Sequence, residues 1–515
     1  MNDYRRVDEP QLFKRLYTEL VPDGKPISLS QLVPRAARIY PERIALIYQD
    51  RMLTYQEFYA KVLQLVEVLK ERGVQPRDRV LLLFENSFEF YISYFAIAHL
   101  GATVAPLNVF LHSHELKHII GDAQPKLMII SDELYTKMDA DAMNWPPLLR
   151  QEELYQYHEK IEQSDPYVLD PDEMAILLYT SGTTGLPKGV MLSSRNCIAN
   201  SIGGIARLGL DNYERVIAAL PLFHSFAQNT CVWGPLIMGC CVIIVRKIER
   251  STLLEGIRHR PTIFLGVPAL YGLLCLFKTV DLSSVKFFIS GGDALPDKIR
   301  SAFALLYNRR ICSGYGMTET SPVISALIDD IAVPTDTVGK PLQGVNVVVR
   351  NEHGATRPLY SIGEIWVNGD NVMLGYYNAP EKTKETIIEG WLTTGDLGYF
   401  DSEGRLVVTG RSKDLIINKG IKVYPQEIEN VLLMHPEVLR AAVIGVAQAN
   451  VGQVPIAYVQ LRSENNACVT ELKALCDNHL APYKVPRTFI CSPQPLPLTA
   501  TGKVDKKQLR ARNES

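Results

Sequence analysis

The stretch RVLLLFENSFEFYISYFAIAHLG, residues 79–101, begins with a short apolar run and continues with a longer apolar segment. The first part has the length of a buried strand and the second that of a helix. The same order recurs at residues 126–132, KLMIISD, and at residues 285–306, where VKFFISGG precedes DKIRSAFALL. This alternation predicts parallel sheets covered by helices, which bind ligands where their strands end.

The sequence pattern changes at two points further along the chain. Residues 338–369 contain short strands with Gly turns, which predicts a small β-rich layer on the large domain. A hairpin-like stretch ends near residue 410, and about 100 residues follow it, enough for one small α/β domain. We therefore expect an α/β protein with a large N-terminal domain over 1–410, a hinge at 411–413 and a small, mobile C-terminal α/β domain over 414–515. The large domain should hold two helix-covered sheets plus the β-rich layer.

Composition limits the partners of this chain. It has 515 residues, 47% of them hydrophobic, and its 54 Lys and Arg against 56 Asp and Glu give a formal charge of −2. No overall field therefore favours nucleic acid. The nine cysteines form no CxxC pair and the N-terminus has no apolar signal segment, which predicts reduced thiols in the cytoplasm. We expect at most peripheral contact with a membrane, because no anchor is visible.

One loop has the composition of a phosphate site. YTSGTTGLPKG (179–189) follows a buried strand and combines glycines, hydroxyls and a lysine. Glycines allow close approach, while hydroxyls and an ammonium donate to phosphate oxygens. The Walker pattern does not fit this segment, and the alternative is a surface loop of turn formers. The candidate phosphate-binding residues are Thr180, Ser181, Gly182, Thr183, Thr184 and Lys188.

This loop resembles the signature of the adenylate-forming (AMP-binding) enzymes, a superfamily that includes acyl-CoA synthetases, peptide-synthetase adenylation domains and beetle luciferases. Further motifs recur in family order, and the resemblance is closest to fatty acyl-CoA ligases. It implies ATP and Mg²⁺ as cofactors. In GYGMTETSP (314–322), it implies that Tyr315 stacks on adenine, that Thr318 contacts the α-phosphate and that Glu319 binds Mg²⁺. The glycines beside Tyr315, Gly314 and Gly316, belong to the same motif.

The resemblance also assigns roles near the predicted domain boundary and the C-terminus. Asp396 and Arg411 match the residues that hold the ribose hydroxyls, and Lys413 matches the hinge residue. Lys503, in a Thr-Gly loop, matches the lysine that bridges the substrate carboxylate and ATP during adenylation. A cation at that point stabilises the transition state in which two anions meet.

Two further segments resemble the acyl site of this family. PLFHSFAQN (221–229) places His224 on the path of the acyl group and the thiol, although a single His near apolar residues is often structural. ISGGDALP (289–296) places Gly291 and Gly292 beside the acyl pocket, with a simple tight turn as the alternative. Gly314 is expected to line the same pocket.

The sequence around residue 229 also indicates which class of acid the pocket accepts. Relatives that activate amino acids need a buried carboxylate for the α-ammonium group, since an unpaired buried charge is costly. The matching position here holds Asn229, and residues 216–245 contain no Asp or Glu. The pattern predicts an uncharged acid, and its apolar side chains favour a medium- or long-chain fatty acid over acetate.

The acceptor of the acyl group stays open between two thiols. INKGIKVYPQEIE (417–429) resembles the loop that guides the pantetheine arm of coenzyme A, with Gly420 beside the tunnel. Where many ligases have acidic residues, however, this chain has Gln448 and Gln453, so a ligase that loads a phosphopantetheine carrier protein remains an alternative. An inactive relative that only binds acyl groups or nucleotides is a third, opposed by the presence of Lys188, Glu319, Asp396, Arg411 and Lys503.

Overall fold

The computed structural model describes residues 7–138, 145–154, 164–181, 186–211, 213–277, 280–328, 337–418, 421–448, 452–463, 468–498 and 504–514. The strands of its largest sheet lie in the order β15-β14-β13-β12-β11-β9-β10-β1-β2. These nine strands are β1 (Ile44–Tyr48), β2 (Arg51–Thr54), β9 (Arg215–Ala218), β10 (Cys241–Ile244), β11 (Ile263–Gly266), β12 (Phe287–Ser290), β13 (Ile311–Gly316), β14 (Val323–Leu327) and β15 (Lys340–Pro341).

A second sheet of seven strands has the order β18-β8-β7-β4-β3-β5-β6. Its strands are β3 (Arg79–Leu83), β4 (Thr103–Pro106), β5 (Leu127–Ile130), β6 (Leu148–Arg150), β7 (Met174–Ser181), β8 (Pro187–Ser193) and β18 (Gly375–Tyr376). Its central strands are parallel and buried on both faces, as their continuous apolar sequences predict.

Helices cover these two sheets. They are α1 (Glu9–Leu20), α2 (Leu32–Ile39), α3 (Tyr55–Glu71), α4 (Phe88–His99), α5 (Ser113–Ala123), α6 (Asp132–Lys137), α7 (Ser194–Leu208), α8 (Ser225–Ala227), α9 (Gly234–Met238), α10 (Arg250–Arg258), α11 (Pro268–Leu276) and α12 (Asp297–Tyr307). Every residue of α4 is buried, because this largely apolar helix belongs to the core that residues of both sheets share.

The two remaining sheets are smaller. The β-rich layer pairs β16 (Val345–Arg350), β17 (Gly363–Gly369), β19 (Ile387–Ile388), β20 (Trp391–Phe400) and β21 (Leu406–Arg411), and α13 (Pro380–Thr386) precedes β19. The C-terminal sheet contains β22 (Ile416–Asn418), β23 (Ile421–Val423), β24 (Val438–Gln448), β25 (Gly452–Leu461) and β26 (Thr488–Ser492), with the helices α14 (Pro425–Leu433), α15 (Cys468–His479) and α16 (Lys506–Glu514).

The predicted fold class is confirmed: two helix-covered sheets and a β-rich layer form the large N-terminal part, and a small α/β unit follows. The exact boundaries and the mobility of the small unit stay predictions. Lys413 lies in a 3₁₀ turn, Ser412–Asp414, between the last strand of the β-rich layer and the first strand of the C-terminal sheet. The two parts touch where the Lys298 ammonium donates to the Pro436 carbonyl at 2.8 Å.

The prediction of parallel sheets is wrong at the sheet edges. The hairpin β7–β8 and the strand pairs β13–β14 and β14–β15 are antiparallel. Each of the first two pairs is joined by a short connection, whereas a parallel crossover needs a dozen or more residues.

Two other expectations concern cysteines and membrane spans. The cysteines for which the structure describes a side chain are all free thiols. No helix within the described ranges has both the length and the apolar composition needed to cross a bilayer.

Candidate active site

The motif GYGMTETSP is built on the end of β13. The sequence predicts that it follows a strand, but Gly314, Tyr315 and Gly316 lie within β13, because β14 returns and pairs with this segment. A Cβ at Gly316 would lie 2.0 Å from the Pro322 carbonyl oxygen, so only glycine fits that close approach. Thr318 and Glu319 follow in a 3₁₀ turn, Thr318–Thr320. The motif therefore lies at the strand edge where the fold predicts ligands.

Glu319 is a partly buried carboxylate with an aromatic partner. The Tyr376 hydroxyl donates to Glu319 Oε1 at 2.8 Å. Burial raises the pKa of Glu319 above its ordinary value, because the charged form is poorly solvated there. A bound cation would offset that cost, so this oxygen donor suits Mg²⁺. Among the described residues no cluster of three or more metal-ligating side chains exists.

Tyr315, Asp396 and Arg411 meet beside this carboxylate. The Tyr315 hydroxyl donates to Asp396 Oδ2 at 2.7 Å, and Arg411 Nε lies 3.2 Å from Asp396 Oδ1. The last two residues are cross-strand partners on β20 and β21. Burial, and then the charge of Asp396, raise the pKa of Tyr315, so its phenol stays a neutral donor. The structure thus brings together the three residues expected around adenine and ribose.

The two ends of the predicted phosphate loop lie in β7 and β8, the antiparallel strands of the β7–β8 hairpin. Thr180 and Lys188 face each other across this hairpin. The Lys188 ammonium lies 5.7 Å from the centre of the Tyr376 ring, the same ring whose hydroxyl binds Glu319. Tyr376 therefore joins the expected phosphate lysine to the expected metal ligand, and no feature of the sequence singled it out. Gly182, Thr183, Thr184 and the side chain of Ser181 lie outside the described residues.

His224 and Thr318 are connected through the segment between β9 and β10. His224 precedes α8, and its Nδ1 accepts from the Phe226 amide at 3.2 Å, which assigns the ring proton to Nε2. The hydroxyl oxygens of Ser225 and Thr318 lie 3.1 Å apart. The loop expected to guide the acyl group therefore touches the residue expected at the α-phosphate.

A deep cavity starts at this polar cluster. With its opening to solvent it has a volume of about 1040 Å³, and all five residues predicted to bind the substrate line it: His224, Asn229, Gly291, Gly292 and Gly314. Most of the remaining wall is aliphatic, including Ile205, Leu208, Leu210, Val216, Ile263 and Leu265. Concave apolar sites with a few polar groups at one end are typical of ligand pockets.

Asn229 has no spare donor for a charged substrate. Its amide nitrogen donates to Asn200 Oδ1 at 3.0 Å, to the Ser321 carbonyl at 3.2 Å and to Ser201 Oγ at 3.3 Å. Asn229 is buried in this network. It follows that this position anchors α7 to the turn after Glu319 and presents no charge to the cavity.

The two predicted pocket glycines have different surroundings. A Cβ at Gly291 would lie 3.1 Å from the Phe226 ring, so a side chain there would push the ring into the cavity. Gly292 has a φ of +82°, which disfavours other residues. Both therefore need to be glycine, one for space and one for backbone conformation.

Asn86 is a positioning residue that the sequence did not indicate by any motif. It follows β3, is buried, and its amide nitrogen donates to the carbonyls of Ala218, Leu220 and Val245 at 3.2, 2.9 and 3.1 Å. Its side-chain oxygen accepts from the Leu222 amide at 2.9 Å. One side chain thus ties the seven-stranded sheet to the segment that leads to His224. A polar residue just past a buried strand was the available signal.

Comparison with family profiles identifies the family of this chain. The profile of AMP-binding enzymes matches residues 33–377, and that of the AMP-binding enzyme C-terminal domain matches residues 427–503. The chain belongs to the AMP-binding enzyme family. It is therefore a ligase of the adenylate-forming, acid–CoA type.

Curated relatives of this AMP-binding enzyme are similar over nearly their whole length. A long-chain-fatty-acid–CoA ligase of Bacillus subtilis (strain 168) is 31% identical over 540 residues, which cover 96% of each chain. A feruloyl-CoA synthase of Amycolatopsis sp. is 33% identical over 484 residues, covering 93% of this chain and 97% of the relative.

Solved structures agree with the fold. An anthranilate CoA ligase in complex with anthranoyl-AMP is 27% identical, with a TM-score of 0.88, and the match covers 94% of this chain and 97% of that one. The o-succinylbenzoate CoA synthetase of Bacillus subtilis, in complex with ATP and a magnesium ion, is 32% identical, with a TM-score of 0.86 and coverage of 93% and 99%. The relatives thus share the fold and differ in the acid named.

The remaining predicted residues of this AMP-binding enzyme lie in its C-terminal part. Gly420 and Lys503 fall outside the described residues, although Val504 forms an isolated bridge with Leu498. Lys413 has an exposed side chain, and partial desolvation of its ammonium, followed by the charge of Arg411, lowers the pKa of that group. The roles expected for these three residues stay predictions.

Proposed function

We propose that this AMP-binding enzyme uses ATP to activate an uncharged carboxylic acid, a medium- or long-chain fatty acid, as acyl-AMP with release of pyrophosphate. The acyl group then passes to the thiol of coenzyme A, and AMP leaves. The observation that carries the proposal is the cavity: His224 and Tyr315 line its polar end, where Ser225 and Tyr315 contact Thr318 and Asp396, and most of the remaining wall is aliphatic. Burying methylene groups against such a wall is favourable by about 0.8 kcal/mol each.

The polar end provides the interactions that adenylation needs. Thr180, Ser181, Gly182, Thr183, Thr184 and Lys188 would hold the phosphates, and Tyr315, Asp396 and Arg411 would hold the adenosine. Glu319 would hold Mg²⁺, which supplies positive charge to the phosphate oxygens when bound. Because Lys188 and Glu319 contact the same Tyr376 ring, the phosphates and the cation would be positioned together.

The acid would enter with its carboxylate at this polar end. Thr318 lies next to the segment that carries His224, so the α-phosphate and the carboxylate would meet there. Lys503 would stabilise the charge that develops as the carboxylate attacks the α-phosphate. A change at the hinge, Lys413, would then rotate the C-terminal domain, remove Lys503 and bring the loop around Gly420 to the pantetheine thiol.

Charge in the pocket separates the candidate acids. A 2-succinylbenzoate carries a second carboxylate, which would need a cationic partner. Asn229, in the cavity wall, is neutral, and its amide nitrogen already donates to neighbouring residues. This favours an acid with an uncharged tail over a dicarboxylate.

Coenzyme A is proposed as the acceptor because the loop around Gly420 resembles the loop that guides its pantetheine arm. One observation supports the alternative acceptor, a phosphopantetheine carrier protein. Gln448 Oε1 accepts from Arg487 at 2.5 Å, so this arginine has a neutral partner where many ligases have an acidic residue nearby. A surface changed in this way could favour a carrier protein over the nucleotide of coenzyme A.

Product analysis tests the proposal. The enzyme is supplied with fatty acid, Mg·ATP and either coenzyme A or a phosphopantetheine-loaded carrier protein, and thioesters and AMP are quantified. We expect acyl-CoA and AMP in equal amounts. If acylated carrier protein is the only thioester formed, the acceptor is the carrier protein and not coenzyme A. If no acid leads to release of pyrophosphate, the result supports an inactive binding protein.

A further inference from the structure

One charged side chain lines the aliphatic part of the cavity. Among the described residues, Arg207 is the single Arg, Lys, Asp or Glu in the wall. It lies in the last turn of α7, and this helix follows the cavity from Ser201 to Leu208. Ser201 contacts Asn229 near the polar end. With a rise of 1.5 Å per residue, Arg207 lies about 9 Å further along the helix axis.

The guanidinium of Arg207 has two partners from other parts of the chain. Its Nη2 donates to the Pro341 carbonyl at 2.5 Å, and its Nε lies 3.0 Å from Glu9 Oε1. Glu9 begins α1, which packs against α7. The side chain of Arg207 is 16% exposed and that of Glu9 is 31% exposed. The positive charge therefore has a carboxylate of the protein beside it, at ion-pair distance although Nε makes no hydrogen bond.

We infer that the Glu9–Arg207 ion pair keeps the tail end of the cavity electrically neutral and thereby excludes α,ω-dicarboxylic acids. This inference rests on the proposed function, since it concerns the tail of the acid that the enzyme activates. A second carboxylate at the tail would compete with Glu9 for one guanidinium, and two negative charges would then share a poorly hydrated site. An acid with a methyl tail meets no such repulsion.

The same geometry predicts how the exclusion fails. Without the Glu9 carboxylate, Arg207 becomes an uncompensated guanidinium beside the cavity, and a guanidinium matches a carboxylate in shape and charge. Specificity built on a repulsive contact is lost when that contact is removed. Glu9 is thus a specificity-determining residue that lies outside the motifs around Lys188, Glu319, Asp396 and Lys503.

The test compares two series of acids of equal length, from hexanoic to hexadecanoic acid and from hexanedioic to hexadecanedioic acid, by pyrophosphate release. In Glu9→Gln, kcat/KM for the best dicarboxylic acid should rise by about tenfold or more relative to the matching monocarboxylic acid. The control is Glu19→Gln, on the same helix, which removes a carboxylate that pairs with Arg35 away from the cavity. The control should leave the ratio unchanged.

A second substitution keeps the test decisive. Arg207→Met removes the cation, so the gain in Glu9→Gln should disappear in the double variant Glu9→Gln/Arg207→Met. An unchanged ratio in a folded Glu9→Gln that still activates fatty acids, or a gain that survives Arg207→Met, would overturn the inference. If the unmodified enzyme activates no fatty acid, the proposed function fails instead, and the two failures are thus distinguished.

Discussion

The two ends of the cavity are built in different ways. At the polar end, residues from separate elements are joined by hydrogen bonds, such as Tyr315 to Asp396 and Tyr376 to Glu319. At the tail end, one helix and several strand residues present aliphatic side chains. The charged residue that the structure describes in this part of the wall, Arg207, pairs with Glu9 of the same chain. The difference indicates that the chemistry depends on the first end and the choice of acid on the second. Substitutions at each end should therefore have separable effects.

The largest effect is expected from Lys503→Ala. Acyl-AMP formation should fall by about a thousandfold or more, because the cation that stabilises the attacking carboxylate is lost. Conversion of supplied acyl-AMP and coenzyme A to acyl-CoA should continue. Both half-reactions are measured separately, by pyrophosphate release and by thioester formation. Equal losses in the two would contradict a role confined to adenylation.

Glu319→Gln should lower adenylation by about a hundredfold to a thousandfold, to the same extent for every acid, since it acts at the polar end. The thermal midpoint should not fall, because a partly buried carboxylate with a raised pKa is replaced by a neutral amide. Pyrophosphate release across the acid series and thermal unfolding provide the two readings. Glu381→Gln, at an exposed helix position, is the matched control. A loss of activity limited to long acids would show that Glu319 acts at the tail end of the cavity and would contradict its role at the polar end.

Gly204→Leu probes the aliphatic part of the cavity between Ser201 and Arg207 on α7. A Cβ at this position of α7 would meet only Asn229 Oδ1, at 3.9 Å, so the added side chain would occupy the cavity. For hexadecanoic acid kcat/KM should fall by about tenfold to a hundredfold, while short acids keep theirs. The control is Gly121→Leu, in α5, where a Cβ meets no atom within 4 Å. A uniform loss for all acids would show that the two ends are not separable.

The smallest effect on the reaction is expected from Asn86→Ala. Removing the side-chain amide takes a donor from three carbonyls, of which Ala218 keeps the Val245 amide, and removes the acceptor of the Leu222 amide, which should lower the free energy of unfolding by about 1–3 kcal/mol. Because the segment leading to His224 loosens, kcat/KM should fall by about tenfold for all acids alike. Asn346→Ala, at an exposed position, is the control. A change in chain-length preference would assign Asn86 to the tail end instead.

Much of the architecture could be predicted because its signals are local. The run at residues 79–101 predicts β3 and α4, since a strand and a fully buried helix differ in length and both are apolar. The residues around Tyr315, Asp396 and Arg411 could be grouped only through the resemblance, and the structure brings them into contact.

The remainder depends on contacts between distant positions. Asn86 and Val245 are 159 residues apart, and a lone Asn after a strand has many possible partners. Glu9 and Arg207 are ordinary charged helix residues until packing of α1 on α7 pairs them. The antiparallel direction of β14 cannot be predicted from its sequence, because apolar strands of either direction have similar sequences. The turn after Glu319 determines the direction of β14.

The central claim is that this enzyme activates acids with long, uncharged tails, and one measurement tests it most directly. For the unmodified enzyme, kcat/KM for pyrophosphate release is determined with straight-chain acids from acetic to octadecanoic acid, with ferulic and 2-succinylbenzoic acids beside them. We expect kcat/KM to rise from acetic acid to a maximum among the medium- and long-chain acids, and to be lower for both aromatic acids. A maximum at acetic acid, or at either aromatic acid, would contradict the account.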